Sequence, residues 1–369
     1  MRVRRITAVL CMAGVMLFGA AAHADEAAEK EYALLCEGEK ITSYAGAPEA
    51  GDEYIGQDNA HYRVTAVDET AGTVQLARVG VYPMPEVRFP EGDAFSVTSM
   101  RKAIALYCTH SDESYTPTDG KSSDEQRGGI YDVAAALADA LEAKGVTVHQ
   151  STETHHPHDA GAYRRSRATA AALLKNGVDA VIDIHRDGIK DPAAYETKVK
   201  GDATTQVRLL VGRANQNASA NKAFAAKLKA VADKTYPGLV KDIYIGKGTY
   251  NQDLMSRAVL LEFGTYTNDK DEVIKSTGYM ADVLYRTLYG GVTGAAGSQS
   301  DVGYRNGASD GAEESAGTGA GLWWILGLAA VALVVFTLAQ TGGGKAMFQK
   351  MGRTFQEMTG GALGGKKQK

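Results

Sequence analysis

Three short stretches hold the side chains whose types and spacing could do chemistry. Residues 105–115 read ALYCTHSDESY, an apolar run that ends in Cys108-Thr109-His110 and turns into Glu113. Residues 180–187 read AVIDIHRD and close on Asp183, His185, Arg186 and Asp187. Residues 258–264 read AVLLEFG, with Glu262 set inside an apolar run. Burying a carboxylate there is costly without a partner or a metal. Two histidines and one glutamate are an accepted ligand set for zinc, with a fourth position left open. His110 and Glu113, three apart around a turn, can close a small chelate, and His185 would add the third donor. Glu262 would then act as general base toward a water whose pKa the metal has lowered.

The same spacing fits blander arrangements. A histidine at a strand end is often structural, and Glu262 could pair with Arg257 or Arg186. Cys108 with His110 would make a thiol–imidazole pair, but no third member or oxyanion feature accompanies them. The histidines of THHPH (Thr154–His158) lie in a stretch with Pro and Asp and read as a solvated loop. GRANQN (Gly212–Asn217) places polar side chains after a strand, suited to substrate hydrogen bonds or to a helix cap.

A scaffold must bring these strand ends together. From about Val97 to Gly291, strand-like and helix-like segments alternate. The apolar runs Ala103–Cys108, Val146–His149, Ala180–His185, Val207–Gly212 and Ala258–Gly264 predict strands. Helical periodicity predicts helices over Tyr131–Lys144, Tyr163–Lys175, Asn221–Lys234 and Asp271–Tyr289. The expected fold class is therefore α/β, a mostly parallel twisted sheet with helices on both faces. Such sheets place their sites at the carboxyl ends of strands. Residues 25–96 read instead as a small β-rich module, in which HYRVTAVDETAGTVQLARVGVY predicts a hairpin around Asp-Glu-Thr-Ala-Gly.

The ends of the chain set its expected compartment. Residues 1–24 carry Arg2, Arg4 and Arg5, an apolar stretch and Ala22-His23-Ala24, the pattern of a secretory signal cleaved after Ala24 or kept as an anchor. Leu322–Gln340 holds no charged residue across 19 positions, long enough at about 1.5 Å per residue to cross a bilayer core. A transmembrane helix is expected over 321–340, after a Gly-, Ser- and acid-rich flexible linker over 292–320. The basic tail, 341–369, would face the cytoplasm by the positive-inside rule, leaving the 97–291 domain outside a single-pass membrane anchor. There Cys36 and Cys108 meet a compartment where disulfides can form. A net charge of −4 and the lack of a basic patch interleaved with aromatics exclude nucleic acid as a partner.

YCTHSDESY, VIDIHRD, VGRANQN, YNQDL (Tyr250–Leu254) and LLEFGTYTN (Leu260–Asn268) occur in the order seen in the stage II sporulation protein P family, which this chain resembles over about residues 50–290. That family comprises membrane-anchored peptidoglycan hydrolases of spore-forming bacteria, related to zinc N-acetylmuramoyl-L-alanine amidases. The resemblance implies a zinc cofactor, a peptidoglycan substrate, and activity on the amide to muramic acid that extends to peptide cross-links. It matches His110 and His185 to the essential histidines, Glu262 to the late-strand carboxylate of E-x-G-x-x-x-N, and Glu113 to T-H-x-x-E. Arg186 and Asn215 become candidate anchors for stem-peptide carboxylates. A lytic partner like stage II sporulation protein D, acting during engulfment, follows from the same resemblance. Cys108 stands where many members carry another histidine, so it is not expected to be a ligand. The C-terminal span also departs from the usual N-terminal anchor. Two rival readings use the same residues: a metallopeptidase confined to stem peptides, and a wall-binding scaffold with a decayed site.

Overall fold

The computed structural model describes residues 30–89, 102–159 and 161–290. The signal-like start, the linker, the expected transmembrane helix and the basic tail lie outside these residues. Among the described residues no helix is long and apolar enough to cross a membrane.

Five strands come first: β1 (Glu31–Cys36), β2 (Glu39–Ala45), β3 (Glu53–Ile55), β4 (Ala60–Asp68) and β5 (Thr73–Val81). Then follow β6 (Ala103–Tyr107), α1 (Thr116–Asp119), α2 (Ile130–Glu142), β7 (Thr147–Gln150), α3 (Ala162–Leu174) and β8 (Ala180–Asp187). The chain continues through β9 (Glu196–Val199), β10 (Asp202–Thr205), β11 (Val207–Gly212), α4 (Ala218–Thr235), β12 (Val240–Gly246), β13 (Ala258–Thr265) and α5 (Lys270–Tyr289). All strands but β9 and β10 join one sheet in the order β2-β1-β5-β4-β3-β12-β11-β13-β8-β6-β7.

This sheet is mixed rather than mostly parallel. β13, β8, β6 and β7 run parallel to one another, but β11 is antiparallel to β13. The N-terminal strands add further antiparallel pairs, and β3 bonds to β12 with Tyr54 opposite Tyr244. The β-rich stretch expected ahead of the α/β region is thus hydrogen-bonded into the same sheet. Its predicted hairpin is β4 and β5, paired from Asp68↔Thr73 outward.

Successive strand residues point to opposite faces, and the two faces are covered differently. Leu106, Ile182, Ile184, Leu209, Leu261 and Phe263 join one apolar cluster with Leu137 of α2, Val231 of α4 and Leu284 of α5. On the other face, Leu210, Tyr244 and Leu260 pack with Tyr32, Leu34, Tyr62 and Leu76 of the N-terminal strands. Tyr44 stacks on Tyr244 there, ring centroids 3.9 Å apart. Beside them Ala105, Tyr107 and Val181 pack with Ala170 and Leu173 of α3. Asp183, His185 and Asp187 of β8 and Glu262 of β13 belong to this second face.

Candidate metal centre

Because β6, β8 and β13 are parallel, their carboxyl ends share one edge. Tyr107 pairs with Asp183, and Glu262 pairs with His185. On β8 the residues Asp183, His185 and Asp187 alternate with apolar Ile182 and Ile184, so all three face away from α2, α4 and α5. Past β6 the chain turns so that Glu113 backbone N–H donates to the His110 carbonyl at 3.3 Å. That turn carries His110 and Glu113 over the end of β8. Gly128 passes against it so closely that a Cβ would stand 2.4 Å from the Glu113 carbonyl oxygen.

The three predicted ligands converge. One ligand atom from each of His110, Glu113 and His185 lies within 4.8 Å of the others. His110 keeps 9% of its surface exposed, Glu113 and His185 only 2% each. Both imidazole Nδ1 atoms stand 3.2 Å from Glu113 Oε1. Ligand atoms bound tetrahedrally to zinc at about 2.0–2.1 Å are roughly 3.3 Å apart, which the two histidine–Glu113 distances match. Among the described residues His185 Nε2 makes no hydrogen bond, and Asp183 Oδ1 lies 3.1 Å from it as a neighbouring charge. An ionised Glu113 only accepts, so His185 Nδ1 donates a proton across the 3.2 Å contact, and a cation bound between the two would take that proton's place.

The charges around the site follow this layout. Burial disfavours charge on His185, but Asp183 and Glu113 outweigh it and raise its pKa well above the ordinary histidine value. Burial likewise opposes ionisation of Glu113, yet His185 and His110 hold it well below the usual carboxylate range. For His110 burial wins over Glu113, and its pKa falls. Glu113 Oε2 accepts the backbone N–H of Arg186 at 2.9 Å, which fixes the second carboxylate oxygen.

Other expectations meet a different geometry. Asn215 follows β11, and because β11 is antiparallel to β13, it emerges at the edge where β13 begins. Its side chain donates to the Gly212 carbonyl at 2.9 Å and accepts from Asn217 N–H at 2.8 Å, closing the turn into α4. Arg186 is buried, donates to the Ser122 carbonyl at 3.1 Å and lies over the Tyr266 ring. Asn215 thus closes its own turn, whereas Arg186 reaches the Ser122 and Tyr266 segments. Cys108 joins the apolar cluster of α2, away from His110, and burial pushes its thiol pKa up. Cys36 and Cys108 are both free thiols.

The THHPH stretch is solvated at Thr154 and Pro157 but not at its histidines, which are buried or half-buried. His155 is buried, with ring nitrogens 2.8 Å from the Cys108 carbonyl and 2.9 Å from Thr169 Oγ1. His158 stacks on His110 with centroids 3.8 Å apart, and its Nδ1 lies 3.1 Å from Asp112 Oδ2. Tyr163 closes the group, its ring centroid 5.5 Å from that of His110 and 6.4 Å from that of His185. Arg208, opposite Glu262 in register, is a further residue the motifs missed. Its presence in the apolar run VRLLVG is the same signal that singled out Glu262.

The family model of stage II sporulation protein P matches residues 21–285. The chain belongs to the stage II sporulation protein P family. The stage II sporulation protein P of Bacillus subtilis (strain 168) is 30% identical over 206 residues, 51% of each chain. This family member therefore spans about half the length of that curated relative in the match. Among solved structures, the N-acetylmuramoyl-L-alanine amidase AmiC2 of Nostoc punctiforme is 13% identical, with a TM-score of 0.34 over 51% of this chain and 94% of its own. The CwlD amidase of Clostridioides difficile, solved with the GerS lipoprotein, is 16% identical, with a TM-score of 0.33 over 52% of this chain and 96% of its own. Likeness at that level carries no argument about this chain's chemistry. Within the E-x-G-x-x-x-N stretch of this family member, Gly264 takes φ +64 and Asn268 Oδ1 accepts Thr265 N–H at 2.8 Å. These two residues shape the irregular end of β13 just past Glu262, where the register with β8 shifts.

Proposed function

We propose that this chain is a zinc-dependent peptidoglycan hydrolase that cleaves the amide between N-acetylmuramic acid and the first alanine of the stem peptide. One observation carries the reading: His110, Glu113 and His185 converge in a buried cluster, and Glu262 stands opposite His185 on the neighbouring strand. Membership of the sporulation family supports a wall substrate.

Zinc held by His110, Glu113 and His185 would polarise the scissile carbonyl and lower the pKa of the attacking water. The remaining work falls to the chain's own groups. Glu262 accepts the proton of the attacking water and passes it to the departing amine nitrogen. Asp183 sets a negative charge 3.1 Å from His185 Nε2, which favours a positive charge on that ring. Tyr163 and His158 wall the His110 side and limit its access to bulk water. The signal-like start and the charge-free segment 322–340 support a membrane tether with this body on the outer side.

Purified sacculi treated with the full-length chain provide the test. Newly exposed lactyl groups on muramic acid are expected, and new peptide termini alone would make it a peptidase instead. His185→Ala is expected to abolish both solubilisation and bound zinc. If neither changed, the catalytic reading would fail.

A further inference from the structure

We propose that Arg208 is the positioning residue of Glu262: held from both sides, its guanidinium lies across β13 and fixes where that carboxylate stands. The inference rests on the reading of Glu262 as general base and deepens it, assigning a role to the cation buried in VRLLVG and to the N-terminal strands.

The register sets four ionisable residues in one row. Asp242 of β12 pairs with Arg208 of β11, Arg208 with Glu262 of β13, and Glu262 with His185 of β8. Directly opposed side chains share a face and start about 4.5–5.5 Å apart at Cβ. Arg208 reaches beyond its immediate neighbours. Its Nε and Nη2 donate to the two oxygens of Asp242 at 2.7 and 3.0 Å, and its Nη1 donates to Asp187 Oδ2 at 2.7 Å. Asp187 belongs to β8, and β13 lies between β11 and β8. A guanidinium bonded to both carboxylates must therefore pass over β13, the strand that carries Glu262.

The partners of this bridge are themselves held. Asp187 Oδ2 also accepts the Tyr195 hydroxyl at 2.5 Å, and its Oδ1 accepts Ile189 N–H at 3.3 Å. Arg208 Nη2 donates to the Ser43 carbonyl at 3.0 Å, and the guanidinium carbon lies 5.6 Å from the Tyr44 ring centre and 6.0 Å from that of Tyr195. Ser43 is on β2, the outer edge of the sheet, so the N-terminal strands curl back over the row to reach Arg208. Burial raises the Tyr195 hydroxyl pKa well above the ordinary tyrosine value; Arg208 opposes this, and Asp187 and Glu262 add to it, so both charges lie within reach of one ring. Arg208 and Asp187 are buried, whereas Glu262 is half-buried. With its β11 side filled by the guanidinium, the Glu262 side chain extends toward His185. A general base acts within about 2.6–3.2 Å of the proton it takes, so this fence sets how well Glu262 meets the attacking water.

The test measures turnover and stability on the same full-length proteins, with soluble muramoyl-peptides as substrate. Arg208→Met removes the bridge and orphans Asp242. Adding Asp242→Asn removes the orphaned charge but restores nothing over β13. The double variant is expected to regain thermal stability over Arg208→Met while its kcat stays about 10–100-fold below wild type. KM and bound zinc are expected at wild-type values. Arg208→Lys, a milder change, keeps the charge but not the planar fork, and its kcat is expected to fall in the same direction. Asp282→Asn, a destabilised control on α5, is expected to keep the wild-type kcat below its own Tm. Crystal structures of wild type and the double variant report the Glu262 carboxylate directly, and a displacement of about 1 Å or more is expected. A stability-rescued double variant or an Arg208→Lys protein with kcat within about twofold of wild type would overturn the proposal. So would an unmoved Glu262. A wild-type chain that releases no muramic-acid lactyl ends, but whose Glu262 moves on loss of Arg208, would uphold the positioning while overturning the amidase reading.

Discussion

Arg208→Met should cost more stability than any single loss of an apolar contact nearby, because of what it leaves behind. Arg208 is 1% exposed. Its Nε and Nη2 donate to the two oxygens of Asp242 at 2.7 and 3.0 Å, and its Nη1 donates to Asp187 Oδ2 at 2.7 Å. Nη2 also donates to the Ser43 carbonyl at 3.0 Å, tying the N-terminal strands to the central sheet. Met fills much of the same volume but supplies no charge. Asp187 would keep the Tyr195 hydroxyl at 2.5 Å, whereas Asp242, itself fully buried, would lose its cation. Removing one partner of a buried ion pair costs about 3–5 kcal/mol. For a body of this size each kcal/mol is worth about 2–4 °C, so Tm should drop by about 6 to 20 °C. Adding Asp242→Asn to Arg208→Met should recover part of that loss, since the orphaned charge is gone. Thermal melts followed by circular dichroism on the single and double variants give the cycle. A Tm within 2 °C of wild type for Arg208→Met would refute the reasoning. So would a double variant no more stable than the single.

Three further perturbations follow. Gly128→Ala drives a Cβ to 2.5 Å from the Asp112 carbonyl carbon and 2.4 Å from the Glu113 carbonyl oxygen. It should displace the ligand turn and weaken zinc uptake, read by competition with a chromogenic chelator. Asp282 is held below the usual carboxylate range: burial opposes its charge, but Lys144, Arg286 and Tyr236 outweigh it. Its stabilising contribution is full above the unfolded value of about 3.9 and is lost as pH falls through the lower folded value. Melts of Asp282→Asn between pH 2 and 7 should therefore lie below wild type at neutrality and converge with it in acid. Glu262→Gln should lower sacculus turnover by about 10²–10⁴-fold while zinc stoichiometry stays at the wild-type value.

The candidate site was legible where polar residues interrupt or end apolar strands. His110, His185 and Glu262 each sit at such a place, and three parallel strands bring them to one edge. Strand direction left no trace in composition. VRLLVG reads the same whether β11 runs with β13 or against it, and that reversal sends Asn215 to the far edge. The joining of the N-terminal strands to the sheet rests on β3, a strand of three residues, too short for any periodicity. The histidines of THHPH were hidden by their neighbours, since Pro, Asp and His together resemble a wet loop. The burial of His155 comes from distant contacts, such as the Ser111 hydroxyl that accepts its N–H at 2.9 Å. Asp183 was visible as a charge in an apolar strand, but its hydrogen bonds from the Thr109 hydroxyl and backbone N–H depend on the rotation of the chain there. Local sequence does not encode that rotation.

Metal content of the full-length chain, measured before and after chelation alongside release of muramic-acid lactyl ends from sacculi, tests the central claim most directly. One zinc per chain is expected, with amide cleavage lost on chelation and restored by zinc. Undiminished cleavage by a chain that has been stripped of metal would contradict the account.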